Sequence, residues 1–106
     1  MSTPATIDAN ASWHVYILQC KDGSLYTGIC RDIKRRLHEH NNLKSGARYT
    51  RARRPVELVY LEPAPTRSAA ARREYHIKQL NPEQKRRLVR LQQATVSPAS
   101  ETNPLT

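Results

Sequence analysis

Tyr16, Tyr26 and Arg36 follow one another at intervals of ten residues, and His40 comes one helical turn after Arg36. Phenols can hold or take a proton, and a guanidinium can stabilise developing negative charge. Two phenols and two basic groups on one surface suit acid–base work on an anionic substrate. Whether they share a surface depends on the elements that carry them.

Trp13 to Cys20 and Ser24 to Cys30 are rich in β formers and flank Lys21-Asp22-Gly23, so they read as a hairpin. A three-residue loop with Gly at its last position makes a type I turn closed by a G1 bulge. That register sets Leu18 opposite Tyr26, Tyr16 opposite Gly28 and His14 opposite Cys30. Tyr16 and Tyr26 then lie on one face as diagonal neighbours, with open room beside Tyr16 at Gly28. A two-residue Asp22-Gly23 turn competes, and it would put the tyrosines on opposite faces.

Asp32 is a suitable N-cap for a helix from Ile33 to about Leu43. On it, Ile33 and Leu37 are apolar anchors, and Arg36 and His40 occupy the same stripe. Cationic groups there need partners or a purpose, unless they reach water at the stripe's edge. His38 and His40 point apart and form no metal pair. Ser45 to Pro55 reads as a basic loop with Arg48, Tyr49, Arg51, Arg53 and Arg54. Val56 to Leu61 is a third strand, closed by Pro63 and Pro65. Thr66 caps a helix from Arg67 to Leu80, whose inner stripe is Ala70, Glu74 and Ile77. Glu74 there either pairs with Lys78 or binds a cation. Asn81, Pro82 and Gln84 form a capping box for a last helix to about Ala94.

The order β-β-α-β-α-α predicts an α+β domain, a small three-stranded antiparallel sheet flanked by helices. Residues 12–94 form the domain. Residues 1–11 are expected to be a flexible arm, and residues 95–106, polar and without apolar period, a disordered tail.

The bulk numbers set limits. A chain of 106 residues is one domain with one small core. Lys and Arg number 18 against 9 Asp and Glu, a net charge of +9 that favours polyanions, nucleic acid first. No segment approaches the roughly 18 apolar residues of a membrane span, and Met1 to Ala11 lacks the regions of a signal peptide. No membrane partner and a cytoplasmic location are expected. Cys20 and Cys30 would lie about 20 Å apart along the hairpin at ~3.3 Å per residue. That is too far for a disulfide, so both are expected as free thiols.

Taken together, these residues resemble the GIY-YIG nuclease superfamily, in its small stand-alone bacterial form. The likeness covers about Trp13 to Leu80. His14-Val15-Tyr16 stands where the family has Gly-Ile-Tyr, and Tyr26-Thr27-Gly28 where it has Tyr-Ile-Gly. Arg36, His40 and Glu74 fall at its helix arginine, a further His or Tyr, and its metal-binding glutamate. His14 and Thr27 depart from the pattern at positions that supply no catalytic atoms. Asn81 is a candidate for the asparagine that follows the glutamate.

The resemblance implies metal-dependent hydrolysis of DNA, structure-selective or weakly sequence-specific. Glu74 would hold a single Mg²⁺ or Mn²⁺, and Arg36 would stabilise charge on the phosphoryl oxygens. Tyr16 or Tyr26 would orient or deprotonate the attacking water, with Arg36, His40 and the metal supplying the positive charge a phenolate needs. Arg48, Tyr49, Arg51, Arg53 and Arg54 would bind nucleic acid by phosphate contacts and stacking. Arg72, Arg73, Lys85, Arg86, Arg87 and Arg90 add charge on the helices and read mostly as solvated faces, with general phosphate attraction at best. The DNA could be branched, nicked or single-stranded, and RNA is an alternative. Two other readings stand beside this one: a nucleic-acid-binding module without useful activity, and a nuclease subunit that needs a protein partner for targeting.

Overall fold

The hairpin closes with the three-residue loop. In the computed structural model, which describes residues 12–44 and 46–96, Gly23 has φ 87°, the left-handed conformation that a G1 bulge requires. Cys20 N–H donates to Ser24 O at 2.9 Å, and Asp22 Oδ1 accepts from the Ser24 amide and hydroxyl. Strand β1 (Trp13–Gln19) pairs with β2 (Leu25–Cys30) in the register Leu18↔Tyr26, Tyr16↔Gly28, His14↔Cys30. The competing two-residue turn is excluded.

Helix α1 (Ile33–Asn42) starts at Asp32, whose Oδ1 accepts from Arg35 N–H at 3.2 Å. The segment expected to be all loop contains a one-turn helix, α2 (Arg48–Arg51). It has no side-chain cap and is too short to show a period, so nothing local announced it. Strand β3 (Glu57–Ala64) runs through Pro63, which was expected to end it. The sheet order β2-β1-β3 makes β3 an edge, where a missing N–H breaks no ladder bond. Gln92 covers that edge: its carboxamide accepts from Leu61 N–H at 3.1 Å and donates to Leu61 O at 2.7 Å. Helix α3 (Arg67–Lys78) is capped by Thr66, and α4 (Pro82–Val96) by the reciprocal Asn81–Gln84 box. Helix α3 therefore stops short of Leu80.

The result is an α+β fold with a three-stranded antiparallel sheet. Central β1 is buried on both faces. Val15 and Ile17 pack with Tyr60, Ala70, Ile77 and Val89 beneath α3 and α4. Tyr16 and Leu18 pack with Val56, Ile33 and Leu37 on the side of α1. Cys20 and Cys30 are buried free thiols. Among the described residues, no helix is long and apolar enough to cross a membrane. The expected arm at 1–11 and the tail beyond 96 lie outside the described residues.

Candidate active site

Tyr16 enters the site from the middle of β1, where strand alternation turns its ring toward α1. Gly28 faces it on β2. A Cβ at Gly28 would lie 2.5 Å from Tyr16 Oη and 2.7 Å from Cζ. The space expected to be open beside Tyr16 is thus filled by its own phenol, and only glycine permits that placement. Tyr26 lies on the same face, its ring centroid 6.4 Å from that of Tyr16.

Helix α1 brings Arg36 and His40 over these rings. His40 is fully buried and edge-on to both tyrosines, at 5.8 and 5.2 Å between centroids. Tyr16 Oη lies 2.8 Å from His40 Nε2, and Arg36 Nε–H donates to the same oxygen at 3.4 Å. On the other side of the imidazole, Nδ1 lies 2.7 Å from Thr50 Oγ1. The Thr50 hydroxyl donates its one hydrogen to Ala47 O at 2.9 Å. It must therefore accept from His40 Nδ1–H. That fixes the tautomer: Nε2 is the acceptor, and the Tyr16 hydroxyl donates to it. The chain of donors runs from Tyr16 through His40 and Thr50 to the backbone of α2.

Burial first, and the Arg36 charge second, push the His40 pKa down to about 4. His40 is therefore neutral near pH 7 and does not supply the positive charge expected of it. Burial also pushes the Tyr16 hydroxyl up to about 12, against the opposing hydrogen bond from Arg36. At rest the phenol keeps its proton.

The depressed His40 pKa makes stability pH-dependent. The unfolded imidazole titrates near ~6.5 and binds protons that the folded one refuses. Its contribution is fully present above that pH and is lost as pH falls toward 4, by up to about 3 kcal/mol. Urea unfolding at pH 7 and 4.5 should show His40→Gln losing much less stability than wild type over this interval. Equal losses in the two proteins would contradict a buried neutral His40.

Arg36 is held between Tyr16 and Glu39, whose Oε1 is 2.7 Å from its Nη1. A shallow cleft of about 210 Å³ opens beside it, lined by Cys30, Arg31, Asp32, Arg35, Arg36 and Glu39. Glu39 lies three residues after Arg36, a spacing visible in the sequence. Thr50 had no such signal, because its role depends on α2.

The basic segment divides in two. Arg48 is exposed, as is Arg51, which donates to Lys44 O. Tyr49 stacks on Tyr26 at 5.9 Å and carries the Arg53 guanidinium 3.9 Å from its ring centroid. Arg53 also pairs with Asp22 at 3.1 Å. Arg54 is different: it donates to the carbonyls of Glu39, His40 and Leu43, the last turn of α1. It caps a helix and is withdrawn from the expected binding surface.

Glu74 belongs to α3, and the described contacts do not join it to the tyrosine cluster. Its Oε2 pairs with Lys78 Nζ at 3.1 Å. Asn81 is engaged as a helix cap. No group of three or more His, Cys, Asp or Glu able to hold a metal occurs among the described residues. A lone, part-exposed carboxylate fits Mg²⁺ or Mn²⁺ held weakly and completed by water and substrate oxygens. It does not fit a tightly bound resident ion.

Comparisons with known proteins show which family the chain resembles. The family model described as the GIY-YIG catalytic domain matches residues 12–87. The chain is 61% identical over 79 residues to UPF0213 protein DP2720 of Desulfotalea psychrophila, covering 74% of this chain and 72% of that one. It is 51% identical over 76 residues to UPF0213 protein SSP2268 of Staphylococcus saprophyticus, covering 72% and 92%. Among solved structures, it is similar to the UPF0213 protein BH0048 from Bacillus halodurans, with 41% identity and a TM-score of 0.50, covering 85% of this chain and 98% of that one. The protein EF2693 from E. faecalis gives 34% identity and a TM-score of 0.51, covering 88% and 92%.

Proposed function

This chain belongs to the GIY-YIG family, and from that premise we propose that it hydrolyses phosphodiester bonds in DNA with the help of one divalent metal ion. The observation that carries the reading is the Tyr16 hydroxyl, which donates to a neutral His40 while accepting from Arg36. A phenol that donates to a base has a route for its own proton. Tyr16 can therefore accept a proton from the attacking water while its own moves to His40 Nε2. Thr50 holds the imidazole in the receptive tautomer throughout. This differs from a resting phenolate, which burial forbids.

Moving the proton to His40 has a cost. Burial and Arg36 both disfavour an imidazolium at His40. A phosphate against Arg36 offsets part of that, because its negative charge faces the guanidinium. The cleft beside Arg36, lined by Arg31 and Arg35 and also by the carboxylates of Asp32 and Glu39, would take such a phosphate as it displaces Glu39 from the guanidinium. Arg36 would then stabilise charge developing on the phosphoryl oxygens. Tyr26, beside Tyr16 and His40, would close the site against bulk water. Glu74 would hold the Mg²⁺ or Mn²⁺, which when bound neutralises charge on the phosphate and the leaving oxygen.

The test is cleavage of end-labelled linear, single-stranded, flapped and four-way DNA, with RNA in parallel, in Mg²⁺, Mn²⁺ or EDTA. Cleavage in either metal and none in EDTA is the expected result. Binding without cleavage in any metal would replace this reading with that of a binding module.

A further inference from the structure

Arg31 belongs to two places at once. It lines the cleft beside Arg36, and its guanidinium also lies 5.9 Å from the ring centroid of Trp13. Trp13 packs against the core beneath α3, the other side of the sheet from Tyr16. Arg67, the first residue of α3, brings a second guanidinium to the same ring at 5.7 Å. Both distances fall within the ~6 Å reach of a cation–π contact. Both arginines are exposed, and among the described residues neither pairs with a carboxylate. The nearby acids are engaged elsewhere. Asp32 accepts from the Arg35 amide as the cap of α1, and Glu62 is bound by Arg73 and Tyr60. The first turn of α3 carries no acidic residue, so the positive end of that helix adds to the two charges.

We infer that Arg31 and Arg67, gathered on Trp13, form a second anion site that takes the backbone phosphates next to the one in the Arg36 cleft. Arg31 is common to the cleft and the ring, so the two sites are neighbours along one strand. Like charges brought to one ring repel each other, and an anion between them removes that cost. The core holds the ring in place, and the guanidinium N–H groups remain available to phosphate oxygens. Because the cations occupy the ring, it offers no platform to a base. The contact therefore reads the DNA backbone and not its sequence. Arg67 and Glu74, seven residues apart, stand two turns apart on one face of α3. A strand that crosses Trp13 thus runs from Arg36 on the α1 side to the helix face that carries Glu74. The inference rests on the phosphodiesterase reading and deepens it.

The experiment measures fluorescence anisotropy over a salt series in EDTA, where binding proceeds without metal-dependent cleavage. The probes are two blunt DNA duplexes of unrelated sequence. The proteins are wild type, Arg31→Ala with Arg67→Ala, Arg31→Lys with Arg67→Lys, and a control with the same charge removed elsewhere, Arg72→Ala with Arg87→Ala. The Arg31 and Arg67 alanine pair should bind both duplexes roughly tenfold more weakly and lose about 1.8 from the salt slope, the share of two duplex phosphates. The lysine pair keeps the charge and should keep most of the slope. The control should lose less than half as much as the alanine pair. An alanine pair that behaves like the control would overturn the site, as would a lysine pair that loses the full slope. Weakening on one duplex alone would overturn the backbone assignment. Any of these in a protein that still cleaves DNA with Mg²⁺ leaves the phosphodiesterase reading standing. A wild type that binds as expected but cleaves in no metal would remove that reading, and with it the placement beside a scissile bond.

Discussion

Tyr16→Phe is expected to lower the cleavage rate by about 10²–10⁴-fold, the range for loss of a positioned acid–base group. The substitution keeps the ring in the space left by Gly28 and removes only the hydroxyl. His40 Nε2 then has no proton to receive from the site, and Arg36 Nε loses an acceptor. Leaving buried polar groups unpaired costs about 1–3 kcal/mol of stability, so the variant should fold with a lowered melting temperature. DNA affinity should change little, since the hydroxyl faces His40 rather than the basic segment. Single-turnover rates beside binding constants separate the two effects. A variant that cleaves at the wild-type rate would remove Tyr16 from the chemistry.

Glu74→Ala should abolish metal-dependent cleavage, a loss of roughly 10³-fold or more if the ion supplies several kcal/mol of charge stabilisation. Binding in EDTA should persist or tighten, because a negative charge near an anionic ligand is gone. The fold should survive. The ion pair with Lys78 joins part-exposed side chains one turn apart on a helix, worth only about 0.2–0.5 kcal/mol. Titrating Mn²⁺ into the protein–DNA complex gives a readout independent of turnover: wild type should take up the ion and the variant should not. Equal cleavage by both proteins would detach Glu74 from the metal.

These two residues mark how unevenly the site was legible. Tyr16, Tyr26, Arg36 and His40 could be brought together from sequence, because their placement follows from short-range rules. The Lys21-Asp22-Gly23 loop, one of two turns the sequence allows, gives the hairpin register, Asp32 fixes where α1 begins, and a one-turn spacing aligns Arg36 with His40. Glu74 could be set on a helix stripe by the same rules. The helix pattern does not say which layer the stripe meets, so its distance from the tyrosines was beyond reach.

What the sequence by itself determined is the α+β class, the N-caps of α1, α3 and α4, and two candidate hairpin registers, of which the fold keeps the one that puts both tyrosines on one face. Each depends on residues a few positions apart, whose turn chemistry and periodicity act before the chain is folded. Tertiary structure alone decided the protonation states and the second partners. His40 is neutral because packing removes water from it, and its tautomer is set by Thr50, ten residues away in α2. Arg54 became a helix cap only because the chain returns past the end of α1. Arg31 and Arg67 meet on Trp13 only because α3 begins beside the start of β1. Burial and charge act through space, and the distances between these groups are set only when the layers pack.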